Sequence, residues 1–349
     1  MADQVDVSVL IPVLNEEAHL RMAAEAILGQ DFAGRVEFLF IDGGSEDASV
    51  SILRALAASD DRVRVLANPA RRTPQALNIG LRAARGTFIA RMDAHTRYPP
   101  RYLASGVERL RRGDCAWVSG PQLAVGVDAG SRLVARALAA SLGKGGARFR
   151  DDMDSEHEVD SGFTGMWYRE TLERHHGWDE EWLNDQDLEL AARIRKSGGR
   201  ILCIPEMTAE YVPRSTLRAL SRQYTTYGIY RVKTARRHPE TLRRSQLLPP
   251  VVTVTAATAV LAPTPPLRRL ARLGITLYAG VLALCAVRAD TGAEGRAATG
   301  LPVVWAVMHL SYGIGFLRGC ARYGPPVEAA GRAAGVTRNA QPAGAGGRG

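Results

Sequence analysis

The first hundred residues alternate apolar, strand-like runs with amphipathic, helix-like segments, and this alternation constrains the fold more than any other feature. Residues 5–12 and 36–41 are short, apolar and β-branched, as expected of strands buried on both faces. Residues 63–66 and 87–93 continue the series, and a segment with helical apolar spacing separates each strand from the next. Short connections between alternating strands and helices give a mostly parallel sheet with helices on both faces. We therefore predict an α/β fold whose ligands bind beyond the carboxyl ends of the strands.

Polar side chains follow three of these predicted strands, so we expect them on one rim of the sheet. The first strand leads to Asn15 and Glu16, and the second leads to Asp42. The sequence contains neither the glycine-rich dinucleotide fingerprint nor the P-loop motif. Asn15 is expected to cap the following helix. Asp42 has two interpretations: acceptor of hydrogen bonds from a base or ribose, or cap of an ordinary strand-to-helix turn.

The pair Asp93-Ala94-His95, at the end of an apolar run, is a candidate metal site. Both side chains can turn toward one ion where a strand gives way to a loop. Oxygen plus imidazole suits Mn²⁺ or Mg²⁺ carrying a phosphate better than a closed zinc site. Arg71 and Arg72, between two prolines, supply further positive charge for a diphosphate. An isolated Asp-x-His is otherwise a common solvated turn.

A second acidic cluster precedes a helix-like segment at residues 186–196. Asn184 or Asp185 can cap this helix, which places Asp187 in its first turn. The positive end of the helix dipole is expected to lower the pKa of Asp187 and to keep it ionised. An ionised carboxylate there could accept a proton from a hydroxyl group. Helix N-termini also collect aspartate for stability alone, so the pattern by itself equally describes a charged helix start.

Three uncharged segments occupy the C-terminal part of the chain, at residues 245–267, 273–287 and 297–317. A helix that crosses a membrane needs about 20 apolar residues. The third segment has that length, the first contains five prolines, and the second has 15 residues between arginines. Residues 214–244 hold nine Lys and Arg against one acidic residue, a balance that suits an anionic membrane surface. A re-entrant hairpin and the buried helices of a second domain are the alternatives.

The predicted organisation is a catalytic domain at 1–240, membrane-associated helices at 241–320 and a disordered tail at 321–349. The formal net charge is +9, but no nucleic-acid module is recognisable, so we predict no nucleic-acid partner. Four cysteines lie far apart in the chain, which disfavours a disulfide scaffold and a zinc ribbon and fits thiols that face the cytosol. We expect no signal peptide at the start of the chain.

Five motifs follow one another along the chain: VLIPVLNEE at 9–17, IDGGS at 41–45, NIG at 78–80 with ARG at 84–86, RMDAH at 91–95 and QDLEL at 186–190. In this order they resemble the motifs of the family 2 glycosyltransferases. Asp-Ala-His followed by Tyr98-Pro99 is most similar to the succinoglycan-biosynthesis ExoA-like branch. The resemblance covers residues 5–240.

This resemblance implies a GT-A fold, a nucleotide-sugar donor, a divalent cation (Mn²⁺ or Mg²⁺) and inversion at the anomeric carbon. It implies that Asp93 and His95 hold the metal and the diphosphate, and that Asp187 is the catalytic base. Gln186 stands where the family usually has Glu, which affects acceptor contacts. The Gln-x-x-Arg-Trp motif of processive members is not matched, which favours addition of one sugar per encounter. The positions that match nucleotide contacts are Pro12, Asn15, Glu16 and Asp42.

We therefore predict a membrane-attached, metal-dependent, inverting glycosyltransferase at the plasma membrane, with its catalytic domain in the cytoplasm. Its expected partners are a nucleotide-sugar donor, a glycan or lipid-linked acceptor, and the membrane. A sugar-1-phosphate nucleotidyltransferase is an alternative, but it needs a glycine-rich, arginine-containing loop that residues 11–15 do not provide. A catalytically silent scaffold or sugar-binding protein is the other alternative. The intact Asp93, His95 and Asp187 count against it.

Overall fold

The computed structural model describes residues 4–144, 154–289 and 300–335. The chain divides into two compact units. The first consists of Met1–Leu220 with Leu284–Trp305, and the second consists of Ser221–Ala283 with Ala306–Gly349.

The first unit is built on a mostly parallel sheet. The strands of the described residues are β1 Val7–Val13, β2 Val36–Asp42, β3 Val63–Ala67, β4 Phe88–Arg91, β5 Thr96–Arg97, β6 Trp117–Ser119, β7 Gln122–Ala124, β8 His157–Glu158, β9 Gly165–Tyr168, β10 Ile201–Cys203 and β11 Ala209–Tyr211. Eight of them form one sheet in the order β3-β2-β1-β4-β9-β6-β10-β8, and the other three form a small sheet in the order β5-β11-β7. In the large sheet β1 is parallel to β2 and β4, whereas β9 runs antiparallel to both of its neighbours. The predicted α/β fold is confirmed.

Helices cover both faces of the large sheet. They are α1 Leu20–Leu28, α2 Ser49–Ser59, α3 Thr73–Ala83, α4 Tyr102–Leu110, α5 Ala129–Ala139, α6 Ser141–Lys144, α7 Arg169–Arg174 and α8 Gln186–Lys196. Successive residues of a strand point to opposite faces. Val9 of β1 accordingly packs with α1 and α4, and the adjacent Leu10 packs with α3 and α8. Helices therefore shield both faces of the large sheet from water, which explains the continuous apolar runs in the sequence.

One local prediction in this unit, the cap at Asn15, is wrong. Helix α1 begins at Leu20 with His19 at its N-cap position, so Asn15 does not cap it. Asn15 instead adopts a left-handed conformation with φ of 55° in the loop before the helix. Elsewhere in this unit, a capping box between Asp128 and Ser131 fixes the start of α5.

The C-terminal part of the chain is helical: α9 Leu217–Arg237, α10 Leu248–Leu261, α11 Pro265–Ala289, α12 Leu301–Tyr323 and α13 Val327–Ala334. Four of the five prolines of the first uncharged segment stand at the starts of α10 and α11, where the first helical turn has no backbone bond to lose, and Pro263 lies between the two helices. The prolines therefore separate two helices and do not kink a longer one. By length and composition α11 and α12 are each sufficient to cross a membrane.

The predicted disordered tail at 321–349 is wrong for its first part. Helix α12 continues to Tyr323, and α13 buries Ala329 in a cluster with Val232 and Phe316. Small apolar residues at helical spacing pack closely, so an alanine-rich composition here serves a packed helix. The remainder of the predicted tail, residues 336–349, lies outside the described residues.

Candidate active site

Strands β1, β2 and β4 deliver the predicted polar residues to one rim of the sheet. They are parallel neighbours, with Val13 opposite Asp42 and Leu10 opposite Arg91. The segments that follow them therefore leave the sheet at the same edge. Helix α8 brings Asp187 to the same place, although 96 residues separate Arg91 from Asp187 in the chain.

Arg91, the last residue of β4, joins the predicted metal ligand to the predicted base. Its Nε and Nη2 donate to the two carboxylate oxygens of Asp93 at 2.9 and 3.1 Å. Its Nη1 donates to both oxygens of Asp187 at 2.6 and 2.8 Å. The Arg91 side chain is only 5% exposed, so this is a desolvated carboxylate–guanidinium–carboxylate bridge. Burial alone would lower the pKa of Arg91, but the charges of Asp187 and Asp93 raise it above its usual value.

Arg91 belongs to the RMDAH motif at 91–95, but no role was predicted for it from the sequence. The available signal was an arginine at the end of an apolar strand. A guanidinium buried there requires acceptors for its five N–H groups. Asp93 was one visible candidate, but the second acceptor could not be read from a sequence without long-range contacts.

The environment of Asp187 reverses the predicted direction of its pKa shift. Asp187 lies in the first turn of α8 as expected, but burial raises its pKa from 3.8 to about 6. The charge of Arg91 opposes this rise, while the charge of Asp93 adds to it. The prediction was wrong because loss of water outweighs the helix dipole at a largely buried carboxylate. Asp187 is still mainly ionised at neutral pH, with a proton affinity well above that of a solvated aspartate.

His95 is held by a second carboxylate, that of Glu16. Its Nδ1 lies 3.0 Å from Glu16 Oε1. Partial burial would lower the pKa of His95, but its hydrogen bond to the Glu16 carboxylate and the charge of Asp93 raise the pKa overall. A carboxylate on one ring nitrogen fixes the imidazole and directs the other nitrogen, Nε2, outward, as is usual for metal-binding histidines. Glu16, predicted as a nucleotide contact, therefore also orients His95.

The donor set at this rim fits a divalent cation that shares its coordination with a ligand. Within residues 4–144, 154–289 and 300–335 no group of three or more His, Cys, Asp or Glu side chains is arranged to hold a metal by itself. Asp93 has about four lone-pair positions, of which Arg91 takes two, and His95 keeps Nε2. Mg²⁺ and similar ions are commonly bound by one or two protein ligands plus phosphate and water. Asp93 and His95 are the residues that could hold such an ion.

Asp42 shapes the loop after β2. Its Oδ2 accepts from the backbone N–H of Gly44 at 2.9 Å, and its Oδ1 accepts from that of Ser45 at 3.2 Å. Gly44 has φ of 72°, a conformation that glycine adopts without steric cost. The turn interpretation of Asp42 thus describes its contacts in this structure. Each oxygen retains capacity to accept a further hydrogen bond from a ligand.

The loops after β1 and β2 are tied to each other. The backbone N–H of Asn15 donates to Ser45 Oγ at 2.9 Å, and Asn15 Oδ1 accepts from the backbone N–H of Glu46 at 2.8 Å. Glu16 donates its backbone N–H to Ser49 Oγ at 2.8 Å. These bonds preform the rim on which Asn15 and Glu16 were predicted to contact a nucleotide.

Two other predicted contact residues lie at the margins of this rim. Pro12 is inside β1, opposite Ile41, because the strand continues through the proline to Val13. Arg72 is exposed at the N-cap position of α3 and is not part of the Arg91 bridge. Its neighbour Arg71 pairs with Glu46 at 3.0 Å.

Trp178 completes the surroundings of Asp187. Its Nε1 lies 3.4 Å from Asp187 Oδ1. The Asn78 side chain hydrogen-bonds to both backbone polar groups of Trp178. Its Nδ2 donates to the Trp178 carbonyl at 2.8 Å, and its Oδ1 accepts from the Trp178 N–H at 3.0 Å. A buried ion pair between Glu189 and Arg193 supports the same loop, since Arg193 also donates to the Gly177 carbonyl at 2.8 Å. Asn78, noted in the sequence only as part of a motif, is thus a positioning residue for Trp178.

Comparisons with known proteins agree with this geometry. The family described as Glycosyl transferase family 2 matches residues 8–176. The succinoglycan biosynthesis protein ExoA of Rhizobium meliloti (strain 1021) is 29% identical over 312 residues, which cover 89% of this chain and 93% of ExoA. A dolichyl N-acetyl-alpha-D-glucosaminyl phosphate 3-beta-D-2,3-diacetamido-2,3-dideoxy-beta-D-glucuronosyltransferase of Methanococcus voltae is 25% identical over 64% of this chain and 71% of its own.

A solved structure shows the same fold. The mannosyltransferase PcManGT from Pyrobaculum calidifontis, solved in complex with GDP-Man and Mn²⁺, superposes with a TM-score of 0.59 at 19% identity. The match covers 91% of this chain and 88% of the mannosyltransferase. Strand order, rim and sequence motifs thus lead to one conclusion: residues 8–176 match glycosyl transferase family 2, the fold is that of the GT-A enzymes, and most of the chain is similar to ExoA.

Proposed function

We propose that this protein transfers a sugar from a nucleotide-sugar donor to a hydroxyl group of a glycan or lipid-linked acceptor, with inversion at the anomeric carbon. The observation that carries the proposal is the Arg91 bridge between Asp93 and Asp187. It brings a candidate diphosphate site and a candidate base to one rim of the sheet. The names of the relatives support the acceptor class, because one acts in succinoglycan biosynthesis and another on a dolichyl-linked sugar phosphate.

Asp187 is the proposed general base. Its carboxylate accepts the proton of the acceptor hydroxyl while that oxygen attacks the anomeric carbon and the nucleoside diphosphate departs from the opposite face. A pKa of about 6 suits this task, since a base is most effective when its pKa lies near the working pH. Arg91 keeps the carboxylate ionised and oriented through two hydrogen bonds, and Trp178 borders it on another side.

Asp93 and His95 are the proposed ligands of Mn²⁺ or Mg²⁺, oriented by Arg91 and Glu16 respectively. When bound there, such a cation supplies positive charge against the charge that develops on the departing diphosphate. The preformed loops that carry Asn15, Glu16 and Asp42 are the proposed nucleotide-binding surface, with Pro12 and Arg72 at its margins.

We place the protein at the cytosolic face of the plasma membrane, with residues 1–240 as the catalytic part. The basic run at 214–244 and the apolar helices that follow it support attachment to a membrane. The absence of the processive motif supports addition of one sugar per encounter.

The test is a panel of nucleotide-sugars offered to the detergent-extracted full chain, with and without Mn²⁺, and scored as nucleoside diphosphate release. We expect one donor to give metal-dependent release. General-base catalysis is typically worth about 10²–10⁴ in rate, so Asp187→Asn should lose about that factor and still bind the donor. The exposed Asp61→Asn is the matched control and should retain full activity.

Full activity of Asp187→Asn would refute its assignment as the base. Folded protein that neither binds nor turns over any donor would instead favour a silent scaffold. Consumption of a nucleoside triphosphate with pyrophosphate release would favour a nucleotidyltransferase.

A further inference from the structure

Helix α11 exposes an unusually large apolar surface. Along its length Leu270 is 67% exposed, Leu277 is 63% exposed and Val287 is 70% exposed. Exposed small residues, among them Ala279 and Ala283, lie between these positions. At about 100° per residue the exposed apolar positions span more than half of the helix circumference. An apolar surface of this breadth marks an interaction site.

The opposite side of α11 packs within the second unit. Arg272 Nε donates to the Ala259 carbonyl of α10 at 3.2 Å, so the two helices form a hairpin. Tyr278 Oη lies 2.8 Å from His309 Nδ1 of α12. The hairpin of α10 and α11 is therefore fixed on its inner side and open on its outer side, where Val251, with 60% exposure, continues the apolar surface on α10.

Helix α12 is in turn tied to the basic helix α9. Ser311 Oγ donates to Ser221 Oγ at 2.8 Å. A Cβ added at Gly315 would lie 2.0 Å from the Thr225 carbonyl oxygen, so the two backbones are in close contact. Helix α9 carries exposed charges at Arg222, Arg236 and Arg237 and is unsuited to a hydrocarbon environment. A helix packed this closely on α9 is a poor candidate to cross a membrane, whatever its composition.

The lengths of α10 and of the uncharged part of α11 also argue against a membrane crossing by the hairpin. The uncharged part of α11 has 15 residues, from Leu273 to Val287, and α10 has 14. At 1.5 Å per residue each extends only about 20–23 Å. The hydrocarbon core of a bilayer is about 30 Å thick. The 25 residues of α11 reach across it only if arginines at its ends enter the hydrocarbon, and the 14 residues of α10 are too short to cross it as a helix.

The charges around the hairpin indicate what covers its exposed apolar surface. From residue 241 to residue 289 the chain has six arginines and no acidic residue. Arg269, Arg272 and Arg288 are exposed at the two ends of the apolar part of α11. A second copy of the chain would bury a narrow seam on each helix, whereas this surface is broad, so a fluid apolar phase with anionic headgroups fits it better.

We propose that the hairpin of α10 and α11 lies in the plane of one leaflet of an anionic bilayer, with its outer apolar side in the acyl chains and its arginines at the phosphates, and does not cross the membrane. This proposal rests on the membrane attachment proposed above and specifies its mode. It is independent of sugar transfer, because both tests below are read without turnover.

The first test is flotation of the purified full chain with vesicles of phosphatidylcholine, with or without phosphatidylglycerol. Each arginine near an anionic surface contributes about a factor of five in affinity. Arg268→Gln/Arg269→Gln should therefore reduce binding to the phosphatidylglycerol vesicles about 30-fold. The exposed pair Arg21→Gln/Arg54→Gln is the matched control and should bind normally. Equal binding of both double variants would overturn the charge assignment.

The apolar surface is tested in the same assay with Leu270→Asn/Leu277→Asn. Both positions are exposed in the protein, so folding should persist, and circular dichroism checks this. Loss of about tenfold per leucine is expected from the apolar area removed. Val127→Asn, at a 64% exposed position of the first unit, is the control. Unchanged flotation of the double leucine variant would overturn the proposal.

The second test separates a hairpin in one leaflet from a crossing. Ala289→Cys, at the end of α11, and Asp61→Cys, in the first unit, are each treated with a membrane-impermeant maleimide in intact cells and after permeabilisation. The in-plane arrangement predicts that both added cysteines are labelled under the same condition. Labelling of the two under opposite conditions would show that α11 crosses, and would overturn the proposal while leaving sugar transfer untouched.

Discussion

Replacement of Arg91 by Gln is the most informative single change in the proposed active site. Arg91 is the group that compensates the buried carboxylates of Asp93 and Asp187, and it makes four hydrogen bonds of 2.6–3.1 Å to them. Removal of one partner from a buried ion pair costs about 3–5 kcal/mol, because the remaining charge is left uncompensated. The protein can avoid part of that cost by protonating one carboxylate.

Asp187 is the carboxylate most prone to take that proton, because burial already raises its pKa to about 6 against the charge of Arg91. Neighbouring like charges and burial together shift carboxylate pKa values by up to about 3–5 units. Without Arg91 we expect the pKa of Asp187 to rise by about two units, so only about one tenth of it is ionised at pH 7. The transfer rate at pH 7 should fall at least about tenfold from protonation alone, with a further loss from misorientation.

The assay is the pH dependence of kcat for nucleoside diphosphate release. The wild-type acidic limb should have its midpoint near the pKa of Asp187. Arg91→Gln should move this midpoint upward and recover part of its activity at high pH. Arg91→Lys keeps the charge but lacks the planar fork, so it should move the midpoint less. Arg54→Gln, at an exposed position, is the control.

A uniform loss of kcat in Arg91→Gln, with the midpoint unchanged from pH 5 to pH 9, would refute this reasoning. It would mean that Arg91 supports the fold of the rim without controlling the charge of Asp187. Infrared titration of the protonated carboxyl band gives the same answer without turnover. A band that is lost in Asp187→Asn should titrate at higher pH in Arg91→Gln than in wild type.

Three further predictions concern neighbouring residues. Because the folded pKa of Asp187 is about 6 against 3.8, wild type should lose up to about 3 kcal/mol of unfolding free energy between pH 4 and pH 7, at about 1.4 kcal/mol per pKa unit. Asp187→Asn should lack this pH-dependent loss in urea melts, and parallel pH profiles of the two proteins would contradict the assignment. Asn78→Ala leaves two backbone groups of Trp178 unsatisfied, so it should lower the free energy of unfolding by about 2–4 kcal/mol in the same melts and should also lower kcat. A loss of less than about 0.5 kcal/mol, which is usual for a surface substitution, would contradict this. Glu16→Gln should weaken Mn²⁺ binding about 10–100-fold in calorimetric titration, whereas Glu25→Gln, at an exposed position, should not. Equal Mn²⁺ affinities of the two variants would show that Glu16 does not support the proposed metal ligand His95.

The first half of the sheet was predictable because its signals are local. Strands β1, β2 and β4 are buried on both faces, whereas β3 forms one edge of the sheet. All four are separated by helices and joined by short connections, so composition and spacing suffice to identify them. Strand β9 was not predictable in the same way. It has four residues, and its antiparallel place between β4 and β6 depends on contacts distant in the chain.

The same difference between local and long-range signals explains which features of the candidate site were predictable. Asp93, His95 and Asp187 were predicted from motifs and helix position, which a single sequence displays, and the structure brings them to one rim of the sheet. The Arg91 bridge could not be identified, because it joins residues far apart in the chain. The direction of the Asp187 pKa shift failed for a related reason. A helix dipole is visible in the sequence, whereas the degree of burial that outweighs it is a property of the assembled site.

Burial and Arg91 act on Asp187 in opposite directions, and a useful base requires both. A solvated aspartate with a pKa of 3.8 is fully ionised at neutral pH but has little affinity for a proton. A buried aspartate without a cation has a high proton affinity but is already protonated. Loss of water raises the proton affinity of Asp187, and the guanidinium of Arg91 limits the rise so that the carboxylate remains ionised near pH 7. Arg91 is also hydrogen-bonded to Asp93, so any ligand that draws Asp93 away from Arg91 changes how strongly Arg91 acts on the pKa of Asp187. The charge of Asp187, the proposed base, then depends on the occupancy of the proposed diphosphate site.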